Sequence, residues 1–264
     1  MYEFAYHRPS SIADAVKILS ADPEARPISG GHTLLPALKH RLARPTALVD
    51  LTGIAELRGV RREGDKVVIG ALTRHAEVAN SDAVKGAIPA LARMADTIGD
   101  VQVRNRGTIG GSVANNDPAA DYPAAVLGLG ATVVTDKRRI AADDFFQGMF
   151  ATALEPGELL VAIEFPIPEK AGYAKMKNPA SRYVMTGVFV SKGPQGVRVA
   201  VNGAAPCVFR QAEMEKALAA NWSPDAVANV RQSADGLNGD IHGSAEYRAH
   251  LVTVMAKRAV ANAG

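Results

Sequence analysis

Apolar residues along the first two thirds of the chain alternate between helical and strand-like spacing. After Ser11, a helix-capping type of residue, they recur at the helical interval, and residues 33–42 and 90–98 repeat that pattern. Short apolar runs typical of β-strands occur at residues 26–29, 47–51, 67–69, 131–135 and 159–165. Residues 99–121 are rich in Gly, Asn and Asp and predict a loop, which a small helix follows at 123–129.

The pattern changes near residue 170. Three strand-like runs separated by proline-containing turns follow, at 173–177, 183–191 and 197–202. Three helical stretches complete the chain, at 210–220, 225–233 and 245–261. An antiparallel sheet followed by helices is typical of an α+β fold, so we expect one domain over residues 1–170 and a second over 171–264.

Composition narrows the class of protein. The chain has 264 residues, 47% of them apolar, which is enough to bury a sizeable core. A net charge of +3 without a long basic cluster does not indicate a nucleic-acid partner. The single cysteine, Cys207, can neither form an internal disulfide nor hold an iron–sulfur cluster. We find no secretory signal and no apolar run long enough to span a bilayer, and we expect a soluble, cytoplasmic protein.

Two Gly-Gly pairs stand out, each beside hydroxyl side chains. Gly30-Gly31 lies in Pro-Ile-Ser-Gly-Gly-His-Thr-Leu-Leu-Pro, and Gly110-Gly111 lies in Arg-Gly-Thr-Ile-Gly-Gly-Ser-Val-Ala-Asn-Asn-Asp-Pro. Glycine has no Cβ and accepts positive φ, so such segments can direct several backbone N–H groups at a diphosphate. Residues 27–36 contain no charged side chain unless His32 is protonated, so a phosphate there would be held by amides and hydroxyls.

Neither segment has the spacing of the best-known nucleotide motifs. Both Gly-x-Gly-x-x-Gly and Gly-x-x-x-x-Gly-Lys-Ser/Thr are absent from them, which argues against a Rossmann dinucleotide site and a P-loop hydrolase. A single Gly-Gly pair is more often a tight turn that serves packing. The joint occurrence of two pairs beside strand-like runs supports the hypothesis of a bound dinucleotide.

The wider segments resemble a known family. Ser29 to Pro36, followed by Leu48 to Leu51, is similar to the first flavin segment of the molybdenum hydroxylase flavoproteins. Arg104 to Asp121 is similar to the second. The whole chain resembles the medium, FAD-binding subunit of the carbon monoxide dehydrogenase and xanthine dehydrogenase family. This resemblance implies a two-subdomain FAD-binding domain of the vanillyl-alcohol-oxidase/PCMH type, with a break near residues 55–60, and then a small domain with a three-stranded antiparallel sheet and a helical bundle.

The resemblance also implies a set of FAD-binding residues and no catalytic or metal-ligating ones. The two segments would hold the pyrophosphate from both sides, with further residues near the isoalloxazine ring or the ribose. The predicted set is Ile28, Ser29, Gly30, Gly31, His32, Thr33, Leu34, Ile98, Gly99, Val103, Gly107, Thr108, Gly110, Gly111, Ser112, Ala114, Asn115, Asp121, Leu160, Val161 and Lys177.

Three of these residues have a second interpretation. Asp121 matches the family position that hydrogen-bonds the FAD ribose, but it could instead cap the helix that follows. Lys177 matches a position close to the flavin, but it could equally be a solvated lysine at a strand end. His32 stands in a Gly-Gly-His sequence that also occurs in berberine-bridge-like oxidases, where the histidine is bonded covalently to the flavin. The second segment is of the molybdenum hydroxylase kind, so we predict noncovalent FAD.

The function implied by the resemblance is electron transfer. The molybdenum cofactor would lie in a large partner subunit and the 2Fe–2S clusters in a small one, since this chain lacks the cysteines for clusters. The complex would be a dimer of heterotrimers, in which this chain passes electrons from the clusters to an external acceptor. Two alternatives remain open: a stand-alone flavin-dependent oxidase, and a noncatalytic binding protein that has kept the fold.

Overall fold

The computed structural model describes residues 1–263. The N-terminal unit of the protein is a small parallel sheet with short helices. This unit contains β1 Ala5–His7, α1 Ile12–Ala21, β2 Arg26–Ile28, α2 Leu34–Lys39 and β3 Ala47–Asp50. Strand β3 is central and pairs parallel with β1 and β2. Ser11 caps α1 by accepting a hydrogen bond from the Asp14 N–H, which confirms the predicted start of that helix. Two 3-10 turns, Leu51–Gly53 and Ala55–Leu57, lead out of the unit.

The central unit is a five-stranded antiparallel sheet with helices packed on it. Its elements are β4 Val60–Glu63, β5 Lys66–Gly70, α3 His75–Asn80, α4 Asp82–Ala87, α5 Pro89–Asp96, α6 Val101–Arg104, α7 Ile109–Asn115, α8 Tyr122–Gly128, β6 Thr132–Thr135, β7 Arg139–Ala141, α9 Ala142–Phe145, β8 Phe146–Gly148, β9 Ala151–Thr152 and β10 Leu160–Pro166. The strand order in the sheet is β4-β5-β10-β6-β7, and β8 and β9 form a separate hairpin.

The prediction of a continuous loop over residues 99–121 is wrong. This stretch contains α6 and α7, which start at local caps: Asp100 Oδ1 accepts from the Val103 N–H at 2.8 Å, and Thr108 Oγ1 accepts from the Gly111 N–H at 3.2 Å. Each cap supplies a side-chain acceptor for an amide in the first turn of its helix, which would otherwise bond to water.

The C-terminal unit is an antiparallel meander covered by helices. Its elements are β11 Lys170–Lys177, β12 Val184–Gly193, β13 Gly196–Asn202, β14 Phe209–Arg210, α10 Ala212–Ala220, the 3-10 turn Pro224–Val227 and α11 Ala245–Ala261. The predicted three strands are present, and β14 adds a short fourth at the edge. The helix expected over 225–233 is wrong, since only the 3-10 turn forms there. The predicted α+β class is confirmed.

Helix α8 joins the central and C-terminal units. All seven of its residues are buried, and the helix packs on β12 and β13. A Cβ on Gly128 would stand only 3.0 Å from the Phe189 ring, so glycine lets the helix approach the sheet closely. The core around α8 therefore continues into the C-terminal sheet, whose other face packs on α10 and α11. Helix α8 begins where the second glycine segment ends, so this packing fixes one wall of the site.

A search of the described residues finds no helix with the length and apolar character to cross a membrane.

Candidate cofactor site

The two glycine segments are in direct contact. The hydroxyls of Ser29 and Thr108 are hydrogen-bonded at 3.0 Å, although the residues are 79 positions apart. A Cβ on Gly30 would overlap the carbonyl oxygen of Arg106 and would stand 2.9 Å from the Gly107 Cα. Any larger residue at position 30 would separate the segments, which explains why this position is glycine.

The backbone of the second segment is bonded within the protein. The Ile109 N–H donates to the Thr73 carbonyl at 3.0 Å, and the Gly110 N–H donates to the Ala71 carbonyl at 2.9 Å. A Cβ on Gly110 would stand 2.5 Å from the Ala71 Cβ. The Gly111 N–H donates to the Thr108 hydroxyl, and Gly110 is the glycine that allows close packing against Ala71 at the end of β5.

The backbone N–H groups of the first segment are free. Among the described residues, the N–H groups of residues 30–33 have no hydrogen-bond partner. Gly31 has a φ of +74°, a conformation that side-chain-bearing residues rarely adopt. The chain turns there between β2 and α2, and this turn leaves a run of consecutive donors available to an anion.

The two segments form walls of one cavity of about 720 Å³. This volume lies within the usual range of about 300–1,000 Å³ for ligand sites. Every residue in the predicted set lines it except Val161 and Lys177. Ile98, Val103 and Leu160 give the cavity an apolar part, which suits a flat aromatic ring system.

Val161 and Lys177 lie outside the cavity lining. Val161 packs against the N-terminal core, and its carbonyl accepts a hydrogen bond from the Ala71 N–H at 2.8 Å. Lys177 is exposed at the end of β11. The buried cation on this strand is Lys175, whose side chain is only 5% exposed. A β-bulge between Met176 and Lys177 shifts the register, so the two lysines do not have equivalent positions against β12.

Asp121 is buried in the cavity wall and paired with Lys175. Its Oδ1 accepts from Lys175 Nζ at 2.8 Å and from the Tyr173 hydroxyl at 2.9 Å, whereas Oδ2 has no bond to any described residue. Burial raises the pKa of Asp121, and the Lys175 ammonium opposes that rise. Asp121 makes no capping bond to α8, so the helix-cap interpretation does not describe it. Asp117 orders the preceding turn by accepting from the Ala119 N–H at 2.9 Å.

Several lining residues carry no signal in the sequence. His75, Glu158 and Arg182 line the cavity from segments outside both glycine motifs. The carboxylate of Glu158 receives two bonds from Arg138, each at 3.0 Å, which contribute to lowering its pKa to about 2. Arg182, at a φ of +62°, donates to the Gly99 carbonyl at 3.0 Å and ties the β11–β12 loop to the site. Only the folded structure brings these side chains to the cavity.

The fold and the site define a dinucleotide-binding protein with two glycine-rich walls, and comparison with known proteins specifies the class. Residues 2–168 match the family described as the FAD binding domain in molybdopterin dehydrogenase. Residues 183–263 match the CO dehydrogenase flavoprotein C-terminal domain. The chain therefore belongs to the family of FAD-binding medium subunits of molybdenum hydroxylases, which confirms the resemblance.

Individual relatives agree over the full length. The carbon monoxide dehydrogenase medium chain of Afipia carboxidovorans is 39% identical, over 98% of this chain and 96% of that protein. The glyceraldehyde dehydrogenase medium chain of Sulfolobus acidocaldarius is 35% identical, over 97% of each. The reconstituted CO dehydrogenase structure from Oligotropha carboxidovorans has a TM-score of 0.91 at 37% identity, covering 99% of this chain and 97% of that one. The relatives are subunits of dehydrogenases, so the predicted oxidoreductase class is confirmed.

Proposed function

We propose that this chain binds FAD noncovalently and transfers electrons within a heterotrimeric molybdenum hydroxylase. The observation that supports this most strongly is the run of unpartnered N–H groups at residues 30–33, in a segment that lines the same cavity as the second glycine segment. Such a run suits a pyrophosphate, because converging amides neutralise anionic oxygens without a bulky side chain. The residues present fit FAD in volume, donor chemistry and apolar lining.

Each part of the cavity has a separate task in this proposal. The amides of residues 30–33 and the paired hydroxyls of Ser29 and Thr108 hold the pyrophosphate. Asp121 accepts a ribose hydroxyl through Oδ2, while Lys175 holds the carboxylate in place through Oδ1. The apolar part of the cavity positions the ring system and excludes water from it. When bound, FAD supplies the capacity to accept electrons in pairs and to release them singly or in pairs.

The metal centres belong to partner subunits in this proposal. One cysteine cannot supply the thiolates of an iron–sulfur cluster, so clusters of the 2Fe–2S type would lie in a small partner. A large partner would hold the molybdenum cofactor and oxidise the substrate. We expect a dimer of such heterotrimers, in which this chain receives electrons from the clusters and delivers them to an external acceptor.

Flavin binding to the purified full chain tests the first part of the proposal. We expect a titration with FAD to produce a saturable change in flavin fluorescence, and acid denaturation to release all of the flavin. A yellow polypeptide after denaturation would contradict noncovalent binding. Absence of binding, both alone and with co-expressed partner subunits, would contradict the proposal as a whole.

A further inference from the structure

His75 is held directly behind the second glycine segment. It is the first residue of α3, and its backbone N–H donates to the Gly107 carbonyl at 3.0 Å. The preceding residue, Arg74, forms an antiparallel bridge with Thr108. A Cβ on Gly107 would stand 2.5 Å from His75 Nε2, so the missing side chain at position 107 makes room for the imidazole.

The imidazole lines the cavity but has no partner in the protein. His75 is 5% exposed, and neither ring nitrogen is hydrogen-bonded to any described residue. Its Nδ1 is inaccessible to solvent. The hydroxyl of Tyr122 is also buried and unpartnered, and the two rings lie 5.3 Å apart, centroid to centroid. The nitrogen beside Gly107 is therefore the one nearest the phosphate segments.

The ring is neutral under ordinary conditions. Burial, with His32 and Arg104 nearby, lowers the pKa of His75 to about 4. A neutral imidazole has one N–H donor and one acceptor nitrogen. Of the two nitrogens only Nδ1 is closed off from solvent, so Nε2 keeps access to the cavity that His75 lines. A ligand with an acceptor oxygen at this point would give Nε2 the partner that no described residue supplies.

We propose that His75 is a further FAD-contacting residue, whose Nε2–H donates to a phosphate oxygen from behind Gly107. Gly30 and His75 Nε2 both lie against Gly107, so the imidazole and one of the unpartnered amides adjoin the same residue. Nδ1 is then the acceptor nitrogen. This inference rests on the proposed FAD binding and adds a donor that neither glycine motif contains.

Two substitutions at this position separate a donor role from a packing role. His75→Gln keeps an N–H near the Nε2 position, whereas His75→Leu removes the donor at similar volume. We expect His75→Leu to weaken FAD binding about tenfold, and His75→Gln to stay within about threefold, because one hydrogen bond to a charged group is worth a factor of this order. The dissociation constants are measured by flavin fluorescence with the full chain.

Phosphorus NMR of FAD at saturation gives a second readout. We expect His75→Leu to shift a phosphorus resonance relative to the unsubstituted chain, and the control Tyr122→Phe to leave both resonances in place. Equal FAD affinity and identical phosphorus spectra for His75→Leu and the unsubstituted chain would overturn the inference. Failure of the unsubstituted chain to bind FAD is a different result, which would refute the proposed function itself.

Discussion

The two Gly-Gly pairs look alike in sequence, yet their backbones are engaged differently. At the first pair, the N–H groups of residues 30–33 are unpartnered in the part of the chain that the structure describes. At the second pair, the Ile109, Gly110 and Gly111 amides are bonded to Thr73, Ala71 and Thr108. The first segment therefore has backbone N–H groups that are free to donate, whereas the N–H groups of the second are already bonded where it packs on the protein. A glycine motif that lines a cavity need not have free backbone donors.

The two segments also differ in how firmly they are held. The first crosses from β2 to the short helix α2, and a Cβ on Gly31 would meet the flexible Leu35 side chain at 2.8 Å and the Ile28 Cδ1 at 3.6 Å. The second lies against the backbone of Ala71 and ends at the buried Asp121–Lys175 pair. We infer that the second segment is a rigid wall of the cavity and that it positions the first segment, which is more adaptable. Substitution of Gly110, where the second segment packs on Ala71, should therefore mainly affect folding, whereas changes beside the free amides and hydroxyls that line the cavity should mainly affect binding.

The largest effect is expected where the rigid wall is anchored. Lys175→Met leaves Asp121 buried without its cation, and removing one partner of a buried pair costs roughly 3–5 kcal/mol. We expect the free energy of unfolding to fall by about 4 kcal/mol. Lys177→Met is the matched control two residues along the same strand, and it should change that free energy by less than about 0.5 kcal/mol. Chemical denaturation of both variants measures the difference, and equal losses would refute the anchoring role of Lys175.

A smaller loss of stability is expected at Gly110. Gly110→Ala places a Cβ at 2.5 Å from the Ala71 Cβ and 2.7 Å from its backbone, so the segment must move. We expect the free energy of unfolding to fall by about 3 kcal/mol. The control is Gly86→Ala, where a Cβ meets nothing within 4 Å in helix α4, and this change should be neutral or stabilising. If Gly110→Ala unfolds at the same denaturant concentration as Gly86→Ala, the second segment is not the rigid wall.

Gly111→Val should affect binding more than folding. Its Cβ would stand 2.9 Å from the hydroxyl oxygens of Ser29 and Thr108, which join the two walls. The added side chain would break that bond and occupy space beside the pyrophosphate. We expect FAD affinity to fall by about thirtyfold, or 2 kcal/mol. Fluorescence titration measures the loss, and full flavin content in the purified variant would place the phosphate elsewhere.

A pH dependence of stability is expected in the FAD-free protein. The pKa of His75 is lowered from 6.5 to about 4, so the unfolded chain binds a proton in this interval that the folded chain excludes. The contribution of His75 to the free energy of unfolding is fully present above pH 6.5. It falls as the pH drops towards 4, by at most about 1.4 kcal/mol per pH unit. Chemical denaturation at several pH values in this window should show a free energy of unfolding that depends less steeply on pH for His75→Gln. Equal slopes would show that His75 titrates normally in the folded chain.

Most of the residues predicted from the sequence line one cavity because they belong to two contiguous motifs. The residues from Ile28 to Leu34, together with Gly107, Thr108, Gly110, Gly111 and Ser112, line it. Helices α6 and α7 were missed because side-chain caps and packing on Ala71 override the low helix propensity of glycine. Lys175 was missed because a β-bulge, invisible in the residue pattern, separates it from Lys177. His75 was missed because no local pattern shows that α3 would bring it behind Gly107.

Hydrogen–deuterium exchange of the full chain, with and without saturating FAD, tests the central claim most directly. Amides of residues 30–33 should exchange rapidly in the FAD-free protein and slowly in the complex, because only the ligand supplies their acceptors. Amides of residues 109–111 should exchange slowly in both states, because Thr73, Ala71 and Thr108 already bond them. Protection that appears on FAD binding only at residues 109–111, with residues 30–33 unchanged, would contradict the account.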